Sequence, residues 1–290
     1  MAAARPGAPT VETATLLITC PDRPGLVAAV SNFLFDAGAN IVHADQHVDA
    51  EGGLFLQRVQ FEVDGPLDPI AEGFAGVAGP LRMQWSLRPS SERARVAVLV
   101  SRLPHCLGDL LARWEVGDLP GTPAAVISNH PDHAELAAHH EIPYHHLPIT
   151  PGSRQRQEHD MLDVLTAAAV DLVVLARYMQ VLSPVVVDRY PNRIINIHHS
   201  FLPAFTGGRP YHQAYERGVK VIGATAHYVT ADLDEGPIIE QDVAQVSHRD
   251  EVADLARKGR DLEKVVLARA VRAHLEHRVL VYRNRTAVFG

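Results

Sequence analysis

Apolar and polar residues follow short alternating patterns up to about residue 88 of the chain. The order of these segments predicts strand, helix, strand, strand, helix, strand, with a hairpin signal in the Gly-rich residues 49–53. The predicted strands are 13–18, 41–48, 54–63 and 83–87, and the predicted helices are 26–37 and 67–77. This βαββαβ order is that of a ferredoxin-like unit.

From residue 94 onward, continuous apolar runs alternate with amphipathic segments. Continuous runs are typical of strands buried on both faces, so we predict a Rossmann-like, mostly parallel sheet with right-handed crossovers. The predicted strands are 96–100, 124–128, 144–147, 172–176 and 194–197, with helices at 106–114, 132–139, 155–169 and 250–276. A further strand at 219–229 should pair with 238–246, and 279–282 should form a hairpin with 286–289.

The two patterns predict an α/β protein of two domains, which suits a chain of 290 residues. We place the first domain at 11–88, a polar linker at 89–93 and the second domain at 94–290. Residues 1–10 are small and contain proline, so we interpret them as a disordered lead-in and not as a signal peptide.

Composition excludes several classes of function. With 34 acidic and 27 basic residues the formal charge is −7, and without a basic run the chain is not expected to bind nucleic acid. No apolar run approaches the roughly 20 residues that span a bilayer, so we expect a cytoplasmic protein without a membrane partner. The cysteines, Cys20 and Cys106, show no CxxC spacing, which argues against a zinc ribbon or a disulfide framework.

Polar residues follow two predicted strands of the second domain. Asn196 and His198 lie at the end of strand 194–197, and Asp234 follows strand 219–229. Strand ends are where open α/β sheets hold their sites. An amide can donate to an oxyanion, an imidazole can move a proton, and a carboxylate can orient an imidazole or a water. Without a Gly-x-Ser-x-Gly elbow, the nucleophile is expected to be water or a substrate amine. The alternative is a set of turn residues and a core histidine.

These residues carry a family resemblance. Asn196, His198 and Asp234 match the catalytic Asn, His and Asp of the folate-dependent formyltransferases, and Asp234 follows His227 at the family's spacing. The double histidine, the Ser-Phe-Leu-Pro-Ala-Phe run at 200–205 and the Pro-Tyr-His-Gln-Ala-Tyr run at 210–215 resemble the formyltetrahydrofolate deformylase branch more closely. The resemblance extends over nearly the whole chain. It implies hydrolysis of 10-formyltetrahydrofolate to tetrahydrofolate and formate, which would supply formate for purine synthesis and balance one-carbon pools.

The resemblance also implies a role for each residue. Asn196 would steady the oxyanion, His198 would stabilise it and transfer a proton, and Asp234 would orient the water or His198. Either His198 or Asp234 could be the general base. No cofactor is expected beyond the folate substrate. Two alternatives stay open: transfer of the formyl group to an amine, and a non-catalytic regulator that senses an amino acid or folate.

A pterin slot is implied by the loop after strand 172–176, which lines that slot in the formyltransferases. Apolar side chains would cover the flat ring while backbone groups pair with its edge. The alternative is a simple connection between a strand and a helix. The expected substrate-binding residues are Arg177, Met179, Val181, Leu182, Gly223, Ala224 and His227.

The loop after strand 96–100 differs from that of the glycinamide ribonucleotide formyltransferases, which carry a glycine-rich phosphate cradle there. Here residues 101–110 contain one glycine and one proline, which make a poor backbone nest for phosphate. This favours water over a phosphorylated amine as the acceptor. His105 and Cys106 are not expected to form a reactive pair, because Cys106 begins an apolar helix face.

Several nearby residues are ambiguous. Deformylases commonly carry lysine at the position of Thr206, which puts substrate contacts from this loop in doubt, and Arg209 is more simply interpreted as solvated. We interpret Tyr211 and His212 as helix packing, with contact to the site left open. The histidine pairs at 139–140 and 145–146 lack the spacing of zinc ligands, so no metal site is expected.

The turn at residues 21–26, Pro-Asp-Arg-Pro-Gly-Leu, resembles that of an ACT domain. The resemblance implies a small amino-acid effector, such as glycine or methionine, or pairing of sheets in a homo-oligomer. Backbone N–H groups at the start of a helix can receive a carboxylate. The candidate effector-binding residues are Asp22, Pro24, Gly25 and Leu26. The alternative is a plain loop without a ligand.

Overall fold

The computed structural model describes residues 11–204 and 210–290. The chain forms two compact units, and the described part of the first comprises 11–93 with 277–282 and 287–290. The second unit holds most of residues 94–276 together with 283–286. The lead-in at 1–10, Thr206 and Arg209 lie outside the described residues. No helix among the described residues is long and apolar enough to cross a membrane.

The first unit confirms the ferredoxin-like prediction. Its elements are β1 (Val11–Pro21), α1 (Leu26–Asp36), β2 (Asn40–Asp49), β3 (Leu54–Asp64), α2 (Asp68–Ala78) and β4 (Gln84–Pro89). The strands form one antiparallel sheet in the order β2-β3-β1-β4. Alternate residues of β1 and β3 face the helices, so that Ile18 and Phe61 are buried with Leu34 of α1 and Phe74 of α2.

The turn before α1 places Gly25 at the helix N-cap with a φ of 91°, a conformation that favours glycine. Asp22, Pro24 and Gly25 are exposed, whereas Leu26 is buried in the core. The backbone N–H of Asp22 already donates to Gly53 O at 2.9 Å. Of the candidate effector-binding residues, Asp22 therefore has no free backbone donor, and the effector site stays a prediction.

The second unit contains β5 (Arg95–Val100), α3 (His105–Glu115), β6 (Thr122–Ser128), α4 (Ala134–His139), β7 (Tyr144–His146), α5 (Arg154–Ala167), β8 (Leu172–Leu175), α6 (Pro184–Val187), β9 (Ile194–His198), α7 (Pro210–Arg217), β10 (Val221–Tyr228), β11 (Ile238–Gln245) and α8 (Val252–Leu275). Its sheet has the order β11-β10-β9-β8-β5-β6-β7. Neighbouring strands from β9 to β7 are parallel, and β10 is antiparallel to both β9 and β11. The mostly parallel Rossmann-like sheet is thus confirmed.

Strand order reverses between β5 and β8, and open α/β sheets bind ligands at such a switch point. Buried residues of β5 and β8 pack against α5 and α6, with Leu99, Val173 and Met161 in one core cluster. Long helix α8 begins with a capping box in which Glu251 and Asp254 each accept from the other's backbone N–H. These elements fix the carboxyl ends of β5, β8 and β9 beside α8.

The end of the chain departs from the sequence-based division, which assigned all of 94–290 to the second domain. Strands β12 (Val279–Tyr282) and β13 (Arg285–Val288) form the expected hairpin. Residues 277–282 and 287–290 count with the first unit. Within that unit Arg58 Nε donates to His277 O at 3.0 Å, and Phe289 N–H donates to Arg278 O at 2.8 Å.

Candidate active site

His198 and Asp234 meet at the carboxyl end of β9. His198 Nδ1 lies 3.2 Å from Asp234 Oδ2, and the His198 side chain is buried. Asp234 belongs to the loop between β10 and β11 and has a φ of 58°, a left-handed conformation that Asp tolerates better than most residues. Gly236 allows this loop to close, because a Cβ there would overlap the carbonyl of Tyr228.

Asn196 and His227 complete the group. Asn196 and His198 share one face of β9 because side chains alternate along a strand, and His227 of β10 is the register partner of Asn196. Asn196 Nδ2 lies 3.3 Å from His227 Nε2, which in turn lies 3.6 Å from Asp234 Oδ1. His227 Nδ1 lies 2.9 Å from Tyr228 O and donates to it, because a carbonyl can only accept. The structure therefore brings all three predicted catalytic residues together.

The Nε2 atom of His198 is buried and has no hydrogen-bond partner among the described residues. Its Nδ1 faces a carboxylate, so the neutral ring carries its proton on Nδ1 and a lone pair on Nε2. Unpartnered buried polar atoms are rare and call for an explanation. His198 lines a cavity, so a ligand or a water in that cavity can supply the missing partner.

Asp234 is held as a carboxylate. The hydrogen bond from His198 is the largest cause that lowers the pKa of Asp234 well below its usual range, against the opposing effect of burial. The side chain is consequently a weak base and a permanent negative charge near neutral pH. It can fix the tautomer of His198 and stabilise the imidazolium that forms when Nε2 accepts a proton.

A cavity of about 690 Å³ extends from these residues. Of the expected substrate-binding residues, Arg177, Met179, Val181, Leu182 and His227 line it. Residues 229–234 form another part of its lining. The apolar lining consists of Leu103, Leu175, Met179, Val181, Leu182, Val229 and Leu233.

Gly223 and Ala224 do not line this cavity in the part of the chain that the structure describes, which corrects the expectation for both. Ala224 is completely buried in the sheet. A Cβ at Gly223 would lie 2.8 Å from Phe201 Cβ and 2.9 Å from Asp242 O, so the side chain of Phe201 occupies the space above it. Gly223 thus serves close packing, and substrate contact at these positions is not supported.

Sequence reasoning missed the residues that hold the slot loop, residues 176–183. Ser101 Oγ accepts from Met179 N–H at 3.0 Å and donates to Asn129 Oδ1 at 2.8 Å. From α5, Gln157 Nε2 donates to Tyr178 Oη at 3.0 Å, and Glu158 accepts from Ser183 N–H at 2.9 Å. Arg177 adopts a φ of 64°, and its carbonyl accepts from Ser101 N–H at 3.2 Å. These bonds fix the loop from two sides.

A second polar group, here called the Glu263 cluster, consists of His105, Arg177, Tyr211 and Glu263. His105 Nε2 lies 2.7 Å from Glu263 Oε2, Tyr211 Oη donates to Oε1 at 2.8 Å, and Arg177 Nε lies 3.5 Å from Oε2. Burial alone would raise the pKa of Glu263, but His105, the charge of Arg177 and Tyr211 outweigh it and leave the pKa below its usual value. Glu263 is thus a buried carboxylate.

Metal binding fits this cluster poorly. His105, Cys106 and Glu263 offer ligand atoms within 4.8 Å of one another. However, burial, and then the charge of Glu263, raises the pKa of the Cys106 thiol far above neutrality, whereas a metal ligand must be a thiolate. The positive charge of Arg177 beside Glu263 opposes a cation further. Cys106 is completely buried, which agrees with its interpretation as a helix-face residue.

The structure also describes the remaining candidate residues, which are those of α7 and the two histidine pairs. Tyr211 and His212 of α7 both line the cavity. The sequence left their contact with the site open, and the structure places both residues beside it. His140 Nδ1 lies 3.8 Å from Glu115 Oε2. The pairs at 139–140 and 145–146 do not join a group of three potential metal ligands within residues 11–204 and 210–290.

Comparison with known proteins agrees with this geometry. The sequence profile of the formyl transferase family matches residues 94–271, and that of the ACT domain matches residues 14–69. The formyltetrahydrofolate deformylase of Synechocystis sp. is 54% identical over 281 residues, which are 96% of this chain and 99% of the relative. That of Bacillus subtilis is 52% identical over 95% of this chain and 93% of the relative. The crystal structure of a formyltetrahydrofolate deformylase from Pseudomonas syringae pv. tomato superimposes with a TM-score of 0.94 at 48% identity, covering 96% of this chain and 95% of the other.

The fold and the Asn-His-Asp site define a formyltransferase-type enzyme with an N-terminal ACT domain. Within that class, the chain belongs to the formyltetrahydrofolate deformylase family.

Proposed function

We propose that this protein hydrolyses 10-formyltetrahydrofolate to tetrahydrofolate and formate. The observation that carries the proposal is the buried Nε2 of His198, which has no partner among the described residues, on a side chain that lines the cavity and whose Nδ1 is held by Asp234. A free nitrogen in that position can bind and deprotonate a water, or donate a proton once it is protonated. The family to which the chain belongs supports the same reaction.

The reaction proceeds by addition and elimination at the formyl carbon. Water adds to the carbon, and the formyl oxygen becomes an oxyanion that Asn196 and the protonated His198 stabilise. Asn196 has two amide hydrogens, and only one is needed for His227 Nε2. The bond from carbon to N10 then breaks, N10 takes a proton, and formate leaves.

His198 is the better candidate for the general base, which the sequence leaves open between His198 and Asp234. The depressed pKa of Asp234 makes its carboxylate a poor proton acceptor near neutrality. The same carboxylate favours the positively charged ring of His198. We therefore assign proton transfer to His198 and orientation to Asp234.

The folate is proposed to lie with its pterin against the apolar lining. Met179 and Val181 expose about half of their surface, 57% and 50%, which is unusual for apolar side chains beside a cavity and suits contact with a flat ring. The rigidly held loop offers backbone groups to the ring's edge. No further cofactor enters this scheme.

Incubation of the protein with 10-formyltetrahydrofolate and no acceptor tests the proposal. Steady release of formate with equimolar tetrahydrofolate is expected. An amine-dependent formyltransferase would release formate only slowly, and a non-catalytic regulator would bind folate without turnover. Asn196→Ala, His198→Ala and Asp234→Ala should each abolish steady release if the site is correct.

The first unit is proposed to regulate this activity. The ACT domain supports a small-molecule effector, and glycine or methionine binding near Asp22, Pro24, Gly25 and Leu26 is our specific proposal. Homo-oligomer formation through the same domain is proposed with it. Repeating the formate assay and a light-scattering measurement with each amino acid tests both points, and an unchanged rate and mass would argue against them.

A further inference from the structure

The Glu263 cluster is a buried ionisable group that the proposed hydrolysis does not use. Its four members come from α3, the slot loop, α7 and α8, and Arg177, Tyr211 and Glu263 line the same cavity as His198. Burying a carboxylate requires partners that offset its lost hydration. Such an arrangement at the wall of a reaction cavity suggests a role in choosing what enters it.

Ring contacts connect the cluster to the reacting imidazole. The ring centroids of His198 and His199 are 5.1 Å apart, and those of His199 and Tyr211 are 6.2 Å apart. The hydroxyl of Tyr211 then reaches Glu263 Oε1 at 2.8 Å. Side-chain contacts thus connect His198 with the cluster along the wall of one cavity.

An amine acceptor differs from water in its charge and therefore in the partners that bind it. A primary amine is largely protonated near neutral pH, and a free carboxylate next to the reacting carbon is the group that would attract and hold it. Asp234 is already engaged by His198, and Glu263 is a further carboxylate of the cavity wall whose two oxygens both accept from donors within the cluster. Arg177 adds a fixed positive charge at 3.5 Å from Oε2. A water carries no net charge, so this positive charge does not repel it as it repels an ammonium group.

We propose that Glu263 is a specificity-determining residue whose engagement by His105, Tyr211 and Arg177 keeps amine acceptors out and leaves water as the acceptor. The inference rests on the proposed function and refines it. In hydrolysis the oxygen of water bonds to the formyl carbon, the bond from carbon to N10 breaks, and N10 takes a proton. With a primary amine, its nitrogen bonds to that carbon instead, a proton passes to N10, and a formamide leaves.

Two variants release the carboxylate. His105→Ala removes the donor to Oε2 at the first residue of α3, where alanine suits a helix, and it also opens space. Tyr211→Phe removes only the donor to Oε1. Each is incubated with 10-formyltetrahydrofolate and millimolar glycinamide, and formylglycinamide and formate are quantified by mass spectrometry. We expect the ratio of formylglycinamide to formate to rise about tenfold or more over that of the unmodified protein.

The controls distinguish the effect of the Glu263 carboxylate from the effects of the space opened at residue 105 and of incorrect folding. The double variant His105→Ala with Glu263→Gln keeps the space but lacks the carboxylate, so its ratio should return towards that of the unmodified protein. His139→Ala changes an exposed histidine of α4 and should leave the ratio unchanged. Thermal unfolding and tetrahydrofolate binding show that each variant is folded, and Tyr211→Phe provides the test should the double variant unfold.

An unchanged ratio in both folded single variants would overturn the inference, as would ready formation of formylglycinamide by the unmodified protein. An equal rise in the double variant would show that space and not the carboxylate selects the acceptor, and would overturn it too. Absence of formate release without an acceptor would instead overturn the proposed hydrolysis, so the two failures are distinguishable.

Discussion

The two ring nitrogens of His198, a residue of the cavity wall, meet different surroundings. Nδ1 faces the Asp234 carboxylate at 3.2 Å, and Nε2 is buried towards the cavity without a partner in the described part of the chain. His199, its neighbour, has a pKa lowered to about 4 by burial and by the charges of Arg177 and His198. Of these two adjacent imidazoles, His198 contacts a carboxylate directly, so we assign proton transfer to His198 and not to His199.

The substitution Asp234→Asn tests whether the Asp234 carboxylate supports proton transfer by His198. The amide keeps the shape of the side chain but loses the charge that supports protonated His198, so turnover should fall about 10²–10⁴-fold. Tetrahydrofolate binding, measured by calorimetry, should stay largely intact. Glu235→Gln, at an exposed position of the same loop, is the matched control and should keep full turnover. Lost binding with normal turnover per bound substrate would contradict the assignment.

Residues whose chemistry follows from their place on a strand could be predicted from the sequence. Asn196, His198 and Asp234 stand in polar clusters that follow apolar runs, and the family resemblance identifies them as catalytic. Glu263 could not be found that way, because it lies within α8 and its partners stand at 105, 177 and 211. Gly223 was expected in the slot through the family resemblance, and the sequence does not reveal that Phe201 covers it.

The slot loop illustrates how neighbouring elements position a binding surface. Ser101 follows β5 and joins Asn129, which follows β6, to the backbone of Met179. The bond to Asn129 is buried and the bond from Met179 N–H is part-buried, so loss of the Ser101 hydroxyl leaves the Asn129 side chain without this partner and costs about 1–3 kcal/mol. The loop should then populate other conformations and bind the pterin less well.

We therefore expect Ser101→Ala to raise KM for 10-formyltetrahydrofolate about tenfold while kcat changes less than threefold. Steady-state formate release over a range of substrate concentrations measures both constants. Ser91→Ala, at an exposed position, provides the control and should alter neither. A fall in kcat with constant KM would indicate that Ser101 acts on the reacting group and not on the loop.

Helix α8 contributes to the site through a glycine. A Cβ at Gly259 would overlap the hydroxyl and ring of Tyr211, so the absence of a side chain there allows Tyr211 to reach Glu263. Gly259→Ala should displace Tyr211 and shift the acceptor ratio towards amines, in the same direction as Tyr211→Phe. Gly108→Ala is the matched control in α3, since a Cβ there meets nothing within 4 Å. The control should gain up to about 1 kcal/mol of stability from helix propensity and keep the ratio unchanged.

Most elements followed from the hydrophobic pattern, because the central strands and long helices of the second unit bury a continuous run or stripe. The pattern also predicted that β10 pairs with β11. It did not predict that β10 lies antiparallel beside β9, which is what sets His227 opposite Asn196. That arrangement depends on contacts between segments about 30 residues apart, and local periodicity carries no information on them.

On the scale of the whole molecule, each unit has its own core, as the change of pattern near residue 94 indicated. The return of 277–282 and 287–290 to the first unit could not be predicted, because it depends on contacts between distant segments, such as that of Arg58 with His277 O, on which the local pattern carries no information. Each unit also contains one histidine that burial keeps neutral. These are His199 in the second unit and His277 in the first, both with a pKa lowered from 6.5 to about 4.

Mild acid should therefore destabilise both units. Burial, with nearby arginines, lowers both pKa values, so between about pH 6.5 and pH 4 the unfolded chain binds more protons than the folded chain, and stability falls as the pH falls. Each histidine accounts for about 3 kcal/mol over that range. Asp234 acts in a separate window: its depressed pKa stabilises the fold above the ordinary carboxyl range, and this contribution is lost only at lower pH.

Urea unfolding at pH 7.5, 6.0 and 5.0 measures the effect, with far-UV circular dichroism resolving one or two transitions. His277→Asn should flatten the pH dependence of the first unit, and His199→Asn that of the second, because neither variant can take up the proton on unfolding. His139→Asn, at an exposed site, should leave the dependence as it was. A slope that persists in both variants would show that groups other than His199 and His277 take up the protons on unfolding.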